Sequence, residues 1–266
     1  MRKPQSALHG MGTVGKALDL LDLFTHQQPQ LGLSALARAA GLNKATCHRL
    51  LTEMESRGLV EQIGPAREYR LGPAVLRLAA LRESAVPTRD AAMPVLRRMA
   101  EATGETAHLS HLVAGRLQTL AFAYSARHGM KVTMEDADFL PFHATASGAA
   151  VLAFLPEAEA ARILAALPDP AAVQARIDKC RARGWAETLS TFEKDVQGLS
   201  VPLFDATGAC IGALATAAAA PRMTPALHAT ITAELTRAGA EITMLWGGRL
   251  PEKLATLWRA AAAAAA

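Results

Sequence analysis

SALARAAGLNKATCHRLLTEMESR, residues 34–57, decides the fold. It reads as two helices joined across a tight glycine turn. Ser34 is placed to cap the first helix, Leu36, Ala37 and Ala40 give it an apolar stripe, and Gly41 supplies the positive φ at its end. Asn43 caps the second helix. There Cys47, Leu50, Leu51 and Met54 recur at spacings of three and four and so share one buried face. The opposite face carries Ala45, Arg49, Thr52 and Ser56, with His48 at its edge and Lys44 in the first turn. Small and polar residues there suit a helix-turn-helix that lays its second helix in a DNA groove. A helical hairpin in an ordinary core fits the same two stripes.

The flanking sequence separates these readings. Residues 59–61 start an extended run, Gly64, Pro65 and Ala66 turn it, and residues 68–71 return. This is a two-stranded wing, with Arg67 near its tip and Arg70 on the return strand, where cations can sit beside phosphate or in the minor groove. Upstream, residues 14–25 form an amphipathic helix with Val14, Ala17, Leu18, Leu21 and Phe24 on its core side. Gly72 and Pro73 punctuate, and PAVLRLAALRES reads as a linker helix. Its stripe of Val75, Leu76, Leu78, Ala79 and Leu81 is broader than an exposed connector needs, which points to burial against a partner subunit.

Composition narrows the class. With 266 residues and 51% hydrophobic content the chain is long enough for two domains with full cores. Net charge is +4, and residues 1–72 hold nine Lys or Arg against six Asp or Glu, or +3. So mild an excess implies modest non-specific DNA affinity and a need for dimerisation. Cys47, Cys180 and Cys210 lack any C-x-x-C spacing, which argues against a disulfide framework or zinc site and fits a reducing cytoplasm. No apolar run of about 20 residues exists, so neither export nor membrane insertion is expected. The seven alanines from Ala260 carry no pattern, and residues 251–266 are read as a tail.

From residue 88 onward the helix DAAMPVLRRMAEATG stops at Gly104 and the period changes to two. Strands are expected over 105–112 and 117–124, around Ala114 and Gly115, with a short one at 131–134. HATASGAAVLAFL reads as a loop entering a buried helix, and two further helices end at Gly184. Strands at 200–204 and 210–216 flank the turn DATG, and a long helix from about 225 to 246 covers the sheet. This is an antiparallel α+β sensor.

Six landmarks in this order are specific: Asn43-Lys44-Ala45-Thr46 with His48-Arg49-Leu50-Leu51; Arg57-Gly58-Leu59-Val60; Tyr69-Arg70-Leu71-Gly72; Thr103-Gly104-Glu105-Thr106; Pro141 with His143-Ala144-Thr145-Ala146-Ser147-Gly148; and Pro202 with Phe204-Asp205 and Gly208. On these the chain resembles the IclR family of bacterial transcription regulators from about Val14 to Gly247. The resemblance implies an α+β protein. A winged helix-turn-helix of three helices plus a β-wing (1–72) would be followed by a linker helix (73–87), a GAF-like α/β effector-binding domain (88–250) and the tail. It implies a ligand-responsive regulator, dimeric or tetrameric on palindromic operator DNA, with no cofactor, metal or catalytic role. DNA contact falls on Ser34, Arg38, Lys44, Ala45, Thr46, His48, Arg49 and Arg67, and Arg49 can pair two hydrogen bonds with guanine. The family usually has arginine where this chain has Lys16. Effector-lining positions fall on Gly129, Val132, Ala146, Ser147, Thr188, Val196, Gly198 and Ala215. Several are smaller or less polar than in relatives, so the implied ligand is an organic acid with apolar bulk, such as an aromatic carboxylate. The start of the helix at Ala146-Ser147-Gly148 would hold its charge.

Other chemistries are weaker. His108 and His111, three apart on a strand, face opposite ways and cannot clasp one metal. Ser147 lacks a G-x-S-x-G elbow, and His143 more simply anchors a loop, so a hydrolase has little support. Cys180 and Cys210 read as buried thiols, and Trp185, Trp246 and Trp258 as core or interface anchors. The alternative from another class is a winged-helix protein-interaction module with a structural dimerisation domain, which the salt dependence of binding to random DNA would separate.

Overall fold

The computed structural model describes residues 12–25, 27–85, 87–134 and 139–265. Two compact units divide between Pro87 and Thr88, a winged helix-turn-helix followed by an α/β domain, the α+β class expected from the sequence.

The first unit runs α1 (Thr13–Leu21), β1 (Leu31–Gly32), α2 (Leu33–Ala39), α3 (Lys44–Ser56), β2 (Val60–Ile63), β3 (Glu68–Leu71) and α4 (Pro73–Ala85). Leu20, Leu36, Cys47, Leu50, Leu51, Met54, Val60 and Tyr69 close one core, so the period-3.6 stripe of α3 is buried as read. Gly41 turns the chain at φ 66°. Asn43 caps α3, its Oδ1 accepting from the Thr46 N–H at 2.8 Å.

Two local expectations are corrected. Gly32, not Ser34, is the N-cap of α2. Leu31 and Gly32 pair with Tyr69 and Glu68, so the chain passes straight from strand to helix and Ser34 already lies in the first turn. On α1, Leu20 is fully buried, whereas Val14 and Leu18 are 74% and 57% exposed within this small unit.

The second unit is a six-stranded antiparallel sheet in the order β6-β5-β4-β9-β8-β7. Its strands are β4 (Thr106–Val113), β5 (Arg116–Ala123), β6 (Phe139–Leu140), β7 (Ala186–Leu189), β8 (Val196–Phe204) and β9 (Cys210–Ala219). Its helices are α5 (Thr88–Thr103), α6 (Ala146–Phe154), α7 (Glu157–Ala165), α8 (Pro170–Arg183), α9 (Pro225–Leu245) and α10 (Glu252–Ala265). Gly239 of α9 lies against Val201, and Ala146 of α6 against Gly198. Residues three apart on a strand point to opposite faces, so α9 and α6 cover opposite sides of the sheet.

Residues 131–134, expected as a strand, are coil. Side chains hold them instead. Thr106 Oγ1 donates to the Val132 carbonyl at 2.7 Å, and the Tyr124 hydroxyl donates to the Met134 carbonyl and accepts from its N–H. Strand β7 was not anticipated. Nor is the segment after residue 251 a tail: α10 buries Leu254 and Trp258 in the core, and Trp258 Nε1 donates to the Gly184 carbonyl at 2.9 Å. Among the described residues no helix is long and apolar enough to cross a membrane, and no His, Cys, Asp and Glu cluster is arranged to hold a metal. All three cysteines are buried, and burial pushes the Cys180 and Cys210 thiols up to about 12.

Candidate DNA-reading face and ligand cavity

With its apolar stripe buried, α3 turns Lys44, Ala45, His48 and Arg49 outward, while Thr46 is half-buried beside its cap. Between α2, α3 and the wing lies a concave surface of about 570 Å³, to which Ser34, Arg38, His48, Gln62 and Arg67 contribute. Arg38, Lys44 and Arg49 form no salt bridge among the described residues. The wing's two arginines differ. Arg70 Nε lies 2.5 Å from Glu61 Oε1, so its charge is answered within the protein. Arg67, at φ 52°, donates from Nε to Gln62 Oε1 at 3.2 Å, and Gln62 Nε2 donates back to the Arg67 carbonyl at 3.0 Å. A neutral amide thus steadies the tip and leaves the cation uncompensated for phosphate.

In the second unit, adjacent pairings run Thr106–Ala217–Gly198–Thr188 across four strands. His108–Ala215–Ser200–Ala186 forms the next row on the same face. Ala217, Gly198 and Ala215 keep that floor low. A Cβ on Gly198 would stand 3.1 Å from Thr188 Oγ1 and 3.5 Å from Ala146 Cβ, so α6 comes down close to the sheet. It is set there by Gly148, where a Cβ would meet Phe142 Cα at 2.4 Å. Thr145 caps α6, its Oγ1 accepting from the Gly148 N–H at 3.0 Å. The N–H groups of Ala146 and Ser147 open the helix, where no preceding turn offers them a carbonyl.

Between floor and helix lies a mostly apolar cavity of about 70 Å³. Of the eight positions assigned from sequence, Val132, Ala146, Ser147, Thr188, Val196, Gly198 and Ala215 line it. Gly129 does not. It sits in the loop before Val132, where no landmark fixed the register. His143 is also outside the lining; its carbonyl accepts from Arg176 Nη2 at 2.8 Å and so ties down the loop entering α6.

Comparison with known families decides what this pairing of units is. The family model for the IclR helix-turn-helix domain matches residues 13–64, and that for the bacterial transcriptional regulator IclR C-terminal domain matches residues 83–244. The chain belongs to the IclR family. IclR members are transcriptional regulators, so this protein is a regulator with a DNA-binding helix-turn-helix and an IclR effector domain. An IclR transcriptional regulator from Silicibacter sp. TM1040 is 48% identical, with a TM-score of 0.87 over 91% of this chain and 99% of its own. The HTH-type transcriptional regulator XynR of Escherichia coli K12 is 27% identical over 255 residues, 88% of this chain and 97% of its own. An IclR homologue from Microbacterium hydrocarbonoxydans, complexed with 4-hydroxybenzoate, shares the fold at 22% identity and a TM-score of 0.69, over 94% of this chain and 100% of its own.

The lining also holds side chains that the sequence reading left unassigned, chiefly His108, Thr133, Thr191, Phe192 and Glu193. The signal for His108 was present. It is in phase with Thr106 and Ser110, opposite Leu109, and so faces α6, while His111 meets Trp246 edge-on at 5.1 Å on the other side. Burial lowers the His108 imidazole to about 4, so the ring is neutral near pH 7.

Proposed function

We propose that this regulator binds a palindromic operator as a homodimer or homotetramer and that an aromatic carboxylate in the cavity sets its affinity. Residues 1–72 read DNA, 73–87 link and pair copies, and the residues from 88 onward, α10 included, form a GAF-like effector domain. Lys44, Ala45, Thr46, His48 and Arg49 face the bases, while Ser34, Arg38 and Arg67 meet the backbone. Leu76 and Leu81 of α4 are 76% and 58% exposed, an apolar strip that a second copy would cover.

One observation carries the reading. Seven positions drawn from separate stretches of sequence converge on a single apolar cavity beneath a helix start. The opening turn of α6 favours a carboxylate through its unbonded N–H groups and helix dipole, and the floor of Ala and Gly favours apolar bulk. The volume of about 70 Å³ is roughly half that of a cavity able to hold benzene, so an aromatic ring requires one wall to move. Residues 191–193 form an exposed wall, tied to the loop before α6 by Thr191 Oγ1 donating to the Ala144 carbonyl at 2.6 Å, and this wall is the one that moves on the proposed reading. The Microbacterium homologue supplies a precedent for an aromatic acid in this fold.

Thermal unfolding with benzoate-type acids and with two- and three-carbon acids tests the effector class. A ligand bound only by the native state raises Tm by mass action. Aromatic acids are expected to raise it, and a response confined to the small acids overturns the assignment.

A further inference from the structure

We propose that His108 is the specificity-determining residue of the effector cavity, and that it selects acids carrying a hydroxyl at the end of the molecule remote from the carboxylate. This rests on the carboxylate reading above and adds what the other end of the ligand must be.

His108 is 7% exposed, and its Nδ1 is buried without a hydrogen-bond partner. A buried polar ring that bonds nothing is costly, and native proteins rarely keep one without a use. Being neutral, the imidazole has one N–H and one lone pair. A hydroxyl, which both donates and accepts, satisfies it in either tautomer. Ionic pairing is disfavoured, because it needs a charged ring and burial opposes charge at this site.

The sheet sets the spacing. Ala146 stands over Gly198 on β8, and His108 lies on β4, with β9 between them. Two inter-strand steps are about 9.5 Å. An α-hydroxy acid has its oxygens on adjacent carbons and cannot reach both places. An acid with its hydroxyl across a ring can. The floor between, Ala215 and Ala217, offers no side-chain hydrogen bond, Thr188 lies beyond Gly198 on β7, and Thr133 and Thr191 are exposed, so His108 is the buried polar side chain at the β4 end. Glu193 is the other ionisable group in the lining, on the exposed wall.

The test is calorimetric titration of the full-length protein with benzoate, 4-methylbenzoate and 4-hydroxybenzoate at pH 6 and pH 8. Wild type is expected to prefer the hydroxyl over the size-matched methyl about tenfold, the worth of one buried hydrogen bond, equally at both pH values. His108→Leu should abolish the preference, and His108→Gln, which keeps a donor and an acceptor, should restore part of it. Circular dichroism establishes that each variant is folded. A wild type indifferent to the hydroxyl, a preference surviving in His108→Leu, or one growing tenfold from pH 8 to pH 6 would each overturn the inference. Those results leave the carboxylate reading standing, whereas failure of all three acids to bind removes both.

Discussion

At Arg49 a guanidinium stands on the outer face of α3 with no salt bridge among the described residues, and this is the condition for paired contact with guanine. Arg49→Ala should cost about 1–3 kcal/mol of operator binding and relax specificity at one base step. Arg70→Ala, whose charge Glu61 already answers, should change binding far less. Titration of both variants against one operator gives the comparison, and equal losses would mean the wrong arginine has been placed at the bases. His108 leaves a signature in stability as well as in ligand choice. Its folded value of about 4 lies below the 6.5 of a free imidazole, so between these pH values the unfolded chain holds a proton that the folded chain does not. Stability therefore falls as pH drops from 6.5 to 4, by at most about 3 kcal/mol from this group. Denaturant melts of His108→Leu across that range should show a shallower loss than wild type. Glu105 is more deeply committed. Its side chain is 1% exposed, and Arg222 grips both oxygens while donating to the Met130 carbonyl. Arg222→Ala leaves that carboxylate buried alone and should cost about 3 kcal/mol in urea unfolding.

Among the elements, those with strong period were legible and those fixed by single contacts were not. Helix α3 could be read because its cap, stripe and following glycine all agree, and Asn43→Ala should cost about 1 kcal/mol. Ser34→Ala should cost much less, since the cap position of α2 belongs to Gly32; parallel thermal melts would show the difference. Strand β1 is two residues long and exists only through Tyr69 and Glu68, partners too distant in sequence for local propensity to reveal. The same holds for 131–134, whose alternation reads as a strand but whose carbonyls go to Thr106 and Tyr124. The cavity was legible through small residues at strand and helix positions. His108 is in phase with Thr106, whose row forms the cavity floor, so its place in the cavity is legible once the strand is paired. Helix α6 depends on Gly148, because Phe142 backbone occupies the place of any Cβ. Gly148→Ala should lift the helix start and reduce ligand binding more than it reduces the far-ultraviolet helical signal, as titration and circular dichroism on one sample would report.

At the scale of the whole molecule, the charge of +4 is too small to make a single reading head bind tightly. On the proposed reading affinity comes from two heads on one operator, so weakening the pairing of copies should reduce operator binding even where no DNA contact is touched. Replacing Leu76 and Leu81 of α4 with Ser should do this and shift the sedimenting species to lower mass, with little change in monomer stability, because both side chains are exposed in the single chain. The last helix carries a different consequence. Trp258 seats against Gly239 and hydrogen-bonds to Gly184, closing a core begun about 165 residues earlier at Ala92 and Val95. The reading head, complete by residue 87, can therefore fold while later residues are still being made, and the sensor must wait for Trp258. During synthesis there is an interval in which each nascent chain carries a folded reading head and no sensor.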